Sequence, residues 1–175
     1  MKYRSTQRDA VRLLYSYSHK DEALRIELEK HLSVMRRNGI ITDWHDRRIV
    51  PGELWEAEIS RQIETAQMIV LLISPDFMAS DYCYETEMTR ALERHRDGDA
   101  VVIPVLLRPV DWKESPLAAL QALPRDARPV TTWSNIDEAL LDVAQGIGRA
   151  VEAFRMTSGP RPLDLLKDRP RTRRE

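Results

Sequence analysis

Met68-Ile-Val-Leu-Leu-Ile73, the break Ser74-Pro75-Asp76 and the run Ser80-Asp-Tyr-Cys-Tyr-Glu-Thr-Glu-Met-Thr-Arg-Ala-Leu92 together decide the fold. Every position from 68 to 73 is apolar, which is how a parallel strand buried on both faces reads. The Ser-Pro-Asp break ends that strand, and residues 81–96 follow as a helix with Glu87 near its start. In an open α/β sheet the crevice above the strands' carboxyl ends is where ligands bind. A carboxylate there can serve chemistry on a sugar.

Strand and helix patterns alternate on both sides of this unit. Residues 11–15 read as a strand running into the polar Ser16-Tyr-Ser-His19. Residues 20–38 put Leu24, Leu28, Leu32 and Met35 on one helical face, and Gly39 suits the C-cap. Residues 40–44 read as a short second strand at a sheet edge. A polar loop with Pro51-Gly52 follows, then a helix marked by Leu54, Ile59, Ile63 and Ala66. Beyond the Asp97-Gly-Asp turn, residues 100–107 form another apolar strand. Residues 108–126 are Pro-punctuated and irregular, with at most a short helix around 117–122. Residues 129–133 are expected as a last strand. Residues 135–154 form a last helix, capped by Ser134 or Asn135, with Ile136, Leu140, Val143, Ile147 and Val151 inward. Five strands with intervening helices imply a doubly wound α/β parallel sheet.

At 175 residues the chain suits one domain with a full core, and a net charge of -1 gives no overall pull toward nucleic acid or membrane. Its longest apolar runs are far too short to span a bilayer. The N-terminus lacks the apolar core of a signal peptide. The one cysteine, Cys83, has no internal partner. These features predict a cytoplasmic location. The scattered histidines offer no zinc spacing, so no metal is expected. Neither a Gly-rich phosphate loop nor Gly-x-Ser-x-Gly is present. Three segments are expected: an extension over 1–10, a domain over 11–155, and a basic Pro/Arg-rich tail or linker over 156–175.

Four pieces in order carry a resemblance. Leu14-Tyr-Ser-Tyr-Ser-His-Lys-Asp21 is an apolar strand ending in Ser-Tyr and followed by an acid. Asp46-Arg-Arg-Ile-Val-Pro-Gly52 is a loop with a Pro-Gly turn. Ile73-Ser-Pro-Asp-Phe-Met-Ala-Ser-Asp-Tyr-Cys83 leads into the glutamate-bearing helix, and Thr132-Trp133 holds a late aromatic. Together they resemble the Toll/interleukin-1 receptor (TIR) domains, over roughly residues 11–154. The resemblance implies a flavodoxin-like sheet of order 2-1-3-4-5 with helices on both faces. Because many microbial and plant members cleave NAD, it also implies an NAD glycohydrolase, acting in signalling or defence, with NAD as substrate and no cofactor. The products would be ADP-ribose or a cyclised form.

The resemblance assigns roles residue by residue. In the family the glutamate lies four residues after the aromatic of Ser-x-Trp-Cys. Here Tyr82 replaces Trp, the fourth residue on is Thr86, and the carboxylates are Glu85 and Glu87. The family's Glu-apolar-x-x-Ala-Leu continuation fits Glu87-Met-Thr-Arg-Ala91-Leu92, which favours Glu87 as catalytic and leaves one residue inserted near the helix start. Tyr17 and Tyr82 are expected on the nicotinamide side, Ser18, Arg47 and Arg48 near the phosphates, and Cys83 in the pocket wall. His45, alone in a loop, reads as a surface residue, and Trp55 as packing. The loop Asp46, Ile49, Val50, Pro51 and Gly52, with an exposed apolar tip at Ile49-Val50, is expected to insert into a neighbouring copy. An additional sensor or effector domain is a further expected partner; membrane and nucleic acid are not. The main alternative is a non-catalytic assembly module. A third is a nucleoside deoxyribosyltransferase-like enzyme, which also uses a glutamate on such a sheet.

Overall fold

The structure, a computed structural model, describes residues 9–158. The extension expected over 1–10 and the tail expected over 156–175 therefore lie largely outside the described residues. Four parallel strands form one sheet in the order β2-β1-β3-β4: β1 Val11–Ser16, β2 Ile41–Trp44, β3 Met68–Ile73 and β4 Val101–Leu106. The helices are α1 Glu22–His31, α2 Ser33–Arg37, α3 Trp55–Thr65, α4 Pro75–Ala79, α5 Thr89–Arg96 and α6 Ile136–Thr157. The expected single helix over 20–38 breaks at Leu32 into α1 and α2. Gly39 then takes φ +65 and donates to the Arg36 carbonyl at 3.0 Å, the left-handed C-cap its position called for.

Strand alternation builds two cores. Val11, Leu13 and Tyr15 of β1, with Met68, Val70 and Leu72 of β3, face α1 and α6, where Leu28, Leu32, Leu140, Val143 and Ile147 close the layer. Leu14, Ile69, Leu71 and Ile73 face the other way, against Ile59 and Ile63 of α3, Phe77 of α4 and Ala91 of α5. β3 is buried at all six positions because it lies between β1 and β4 and is covered on both faces. At about 25 cal/mol per Å² of apolar surface, such a strand is a large share of the folding drive.

The fifth strand expected over 129–133 is absent; Val130–Thr132 forms a 3-10 turn instead. The outer edge of β4 explains this. Val102 N–H donates to His95 Nδ1 at 3.1 Å. Leu106 N–H donates to the Leu123 carbonyl at 2.8 Å, and Leu123 N–H donates back to the Pro104 carbonyl at 2.9 Å. In a parallel strand one residue's N–H and C=O point to the same side, so the donor that Pro104 lacks falls on this edge. One site is capped by a side chain, one has no donor, and one is taken by a single bridging residue. A continuous fifth ladder has nothing left to pair with, and Thr131 reaches the sheet only through one bond to the Leu107 carbonyl at 3.0 Å.

Residues 82–88 are π-helical, leading directly into α5. A π turn closes its hydrogen bonds over one more residue than an α turn. That is the local form taken by the one-residue mismatch read between Tyr82 and Glu87.

Candidate functional site

β1 is the strand from which the order departs in both directions, to β2 on one side and β3 on the other. The crevice over its carboxyl end is the sheet's switch point. A cavity of about 290 Å³ opens there, lined by Tyr17, Ser18, His19, Lys20, Asp46, Trp55, Ser80, Tyr82, Cys83 and Glu87. Its parts come from the segment after β1, the loop after β2, the start of α3 and the π turn.

Glu87 is 9% exposed and accepts a hydrogen bond from the Ser16 hydroxyl, the last residue of β1. Burial pushes its carboxyl up to about 7; the Ser16 hydrogen bond opposes the rise and the nearby Asp46 charge adds to it. Glu85 is exposed and outside the cleft. The π turn produces this division, turning Glu87 inward with Cys83 and Met88 while Glu85 and Thr86 face water.

The walls are aromatic. Trp55 and Tyr82 meet with ring centroids 4.7 Å apart and planes tilted by 43°. Tyr17 is buried under the Arg25 guanidinium, whose carbon lies 5.1 Å from the ring centre. Its hydroxyl donates to Asp46 Oδ1 at 2.9 Å. Burial, with Asp46 adding, raises the Tyr17 hydroxyl well above its usual range, and burial with the Glu87 charge pushes Tyr82 up to about 12. Both stay neutral at pH 7. Cys83 Sγ donates to the Tyr17 carbonyl at 3.6 Å, and burial pushes the thiol up to about 11, so it is no thiolate.

A polar network fixes the turn His19–Asp21 that forms one rim. Buried Asp21 accepts from the Ser74 hydroxyl at the start of α4 and from Arg108 Nε at 2.9 Å, while Arg108 also pairs with Asp76. Three strand ends are thereby tied together. Asp46, which also pairs with His19, ties the loop after β2 to the same rim.

Of the residues singled out from the sequence, Tyr17, Ser18, Tyr82, Cys83 and Glu87 meet in the cleft. Arg47 and Arg48 do not. Arg47 Nε donates to Glu22 at 2.8 Å, and Arg48 donates to the Asp43 carbonyl at 2.7 Å and to Asp43 Oδ1 at 3.2 Å. The basic groups on the rim are Lys20 and His19. Asp46, expected as an assembly residue, lines the cleft. Ile49, expected at an exposed tip, packs against the core, and the exposed apolar residues are Val50 at 59% and Leu54 at 78%. His45, expected at the surface, is buried, and burial lowers its pKa. Trp55, expected as packing, is 41% exposed and lines the cleft. Sequence reasoning missed Ser16, His19, Lys20 and Ser80. Ser16 was the most findable, as the only polar side chain before Tyr17 at a strand's carboxyl end.

A family model described as the TIR domain matches residues 14–141. The uncharacterized protein y4lF of Sinorhizobium fredii is 49% identical over 150 residues, which cover 86% of this chain and 46% of that protein. The chain thus spans less than half the length of this relative. The TIR domain of the Toll-related receptor TRR-2 from Hydra magnipapillata superposes with a TM-score of 0.57 at 21% identity, over 80% of this chain and 97% of that one, a likeness of fold alone. The TIR domains of the activated Roq1 resistosome give 0.48 at 19% identity over 78% and 84%.

Proposed function

Since the chain belongs to the TIR domain family, we propose that its cleft cleaves the nicotinamide–ribose bond of NAD. The observation that carries the reading is a buried carboxylate, Glu87, at the floor of an aromatic-walled crevice over the switch point. Nicotinamide leaves as a neutral molecule and needs little acid help. Positive charge builds on the ribose as an oxocarbenium-like centre, and a carboxylate set against it in a water-poor site stabilises that charge more than it stabilises the substrate. Trp55 and Tyr82 offer ring faces to the nicotinamide. Lys20 and His19 stand at the rim, where the diphosphate would leave the cleft. The cavity is at the small end for ligand pockets, so it takes the nicotinamide riboside end and leaves the adenosine outside. Water in the vacated nicotinamide position gives ADP-ribose; an attack from the substrate's own adenine gives a cyclic product. A role in signalling or defence belongs to the same proposal, as does any further domain.

The test is incubation with NAD at high protein concentration, following nicotinamide by chromatography. Glu87→Gln should lower the rate at least a thousandfold, or about 4 kcal/mol of barrier, and Glu85→Gln should leave it largely intact. Wild type that releases no nicotinamide would sink the reading. Free base released from deoxynucleosides would favour a deoxyribosyl transfer instead.

A second reading, assembly without catalysis, has its own observation. Val50 and Leu54 project from the loop before α3 with most of their surface in water, and residues of this kind mark contact surfaces when they cluster.

A further inference from the structure

Ser16 closes β1, is 2% exposed, and is surrounded by a strand whose other buried positions are filled by apolar residues and Tyr15. Alanine would fill the same place in the strand, so packing does not call for the hydroxyl. Its hydrogen goes to Glu87 Oε2.

We infer that Ser16 is a positioning residue: its hydroxyl, donated from the end of β1, holds the Glu87 carboxylate in the cleft and stabilises its ionised form. The effect on ionisation rests on the hydrogen bond; its catalytic consequence rests on the glycosidic-bond reading above.

The groups around Glu87 leave this task to Ser16. From the loop after β2 comes Asp46, a like charge. From β1 and the residue after it come Tyr15 and Tyr17, but their hydroxyls are given to Asp43 at 3.0 Å and to Asp46 at 2.9 Å. From its own turn come Cys83, spent on the Tyr17 carbonyl, and Tyr82. His19 pairs with Asp46, and Lys20 is exposed at the rim. α3 contributes only uncharged Trp55 and Ile59. Among the described residues Ser16 is the one hydrogen-bond donor to the Glu87 carboxylate. A carboxylate stripped of water and of its single donor is held by nothing, and it protonates more readily.

The test titrates Glu87 directly, by carbon-13 NMR of carboxyl-labelled glutamate, with its resonance identified by its loss in Glu87→Gln. Ser16→Ala should move the Glu87 midpoint upward by about one pH unit, a tenfold change in its ionisation equilibrium. Ser16→Cys, a weaker donor, should move it by less. The acid limb of nicotinamide release should move by the same amount as the resonance, which a merely structural loss would not produce. An unchanged Glu87 midpoint in folded Ser16→Ala overturns the inference. A shifted midpoint in a protein that cleaves no NAD upholds Ser16 and removes the glycosidic reading.

Discussion

Glu87 is held almost dry, against one serine, with a carboxyl that titrates at about 7. Its ordinary value in an unfolded chain is about 4.3. Between those two values the folded protein binds more protons than the unfolded chain, so stability falls as pH rises through this window and levels off above it. The buried charge therefore costs on the order of 3 kcal/mol at alkaline pH and almost nothing at pH 4. Glu87→Gln keeps an acceptor for the Ser16 hydroxyl and removes the charge. Its melting temperature should exceed that of wild type by several degrees at pH 8 and match it near pH 4. An equal difference at both pH values would show that the carboxyl is not held as described. If the cleft cleaves NAD as proposed, the same residue would set the pH dependence of turnover: nicotinamide release would need the ionised form and should rise with pH through about 7. Cys83 makes the opposite case. With the thiol pushed up to about 11, it is protonated at neutral pH, and Cys83→Ala should keep most nicotinamide release. Complete loss in a folded variant would point to sulfur as nucleophile.

The π turn is the element that makes Glu87 available. It lies five positions after Tyr82, and the wide turn lets both face the cleft. Deleting exposed Glu85 should convert the turn to α-helix and shorten the spacing to four, with Tyr82 and Glu87 still on one face. The deletion variant should fold with a melting temperature no lower than wild type and still release nicotinamide. Loss of release together with an intact melt would show that the wide turn itself shapes the cleft. Elements differ in how far sequence betrays them. β3 was legible because burial on both faces demands apolar residues throughout, and Gly39 because a left-handed C-cap demands glycine. The π turn was legible only as a one-residue mismatch. The missing fifth strand was not legible, since residues 129–133 are apolar enough and the veto lies elsewhere, in Pro104 and His95 on the edge of β4. Within the site, Glu87 and the aromatic residues Tyr17 and Tyr82 could be read from their places after strands. Arg47 and Arg48 could not, because a sequence shows a charge and hides its partner: here Glu22, Asp43 and Glu29 hold them away from the cleft.

For the molecule as a whole, the question is whether the loop before α3 links copies of the chain to the cleft. Asp46 anchors the loop's start on Tyr17 and His19, and Ile49 is packed against the core. Val50 and Leu54 are left in water, with Gly52 at φ +95 shaping the turn between them. Leu54 is followed directly by Trp55, whose ring meets that of Tyr82 in the cleft wall. A neighbour that gripped Val50 and Leu54 would therefore restrain the wall that the proposed reading sets against nicotinamide. If such a contact joined the loop to a different face of the next copy, it would leave an open end for further addition. Specific activity should then rise with protein concentration. Leu54 is exposed and is also the N-cap of α3, where aspartate is favoured, so Leu54→Asp should fold with stability equal to wild type or higher by up to about 1 kcal/mol. It should abolish both the larger species in sedimentation and the concentration dependence of nicotinamide release. Ile49→Asp is the wrong probe, because it would also bury a charge against the core. If dilute protein, monomeric by sedimentation, turned over NAD as fast per molecule as concentrated protein, assembly and catalysis would be uncoupled. The role of Glu87 would stand apart from that result, because its carboxylate and its serine belong to one copy of the chain.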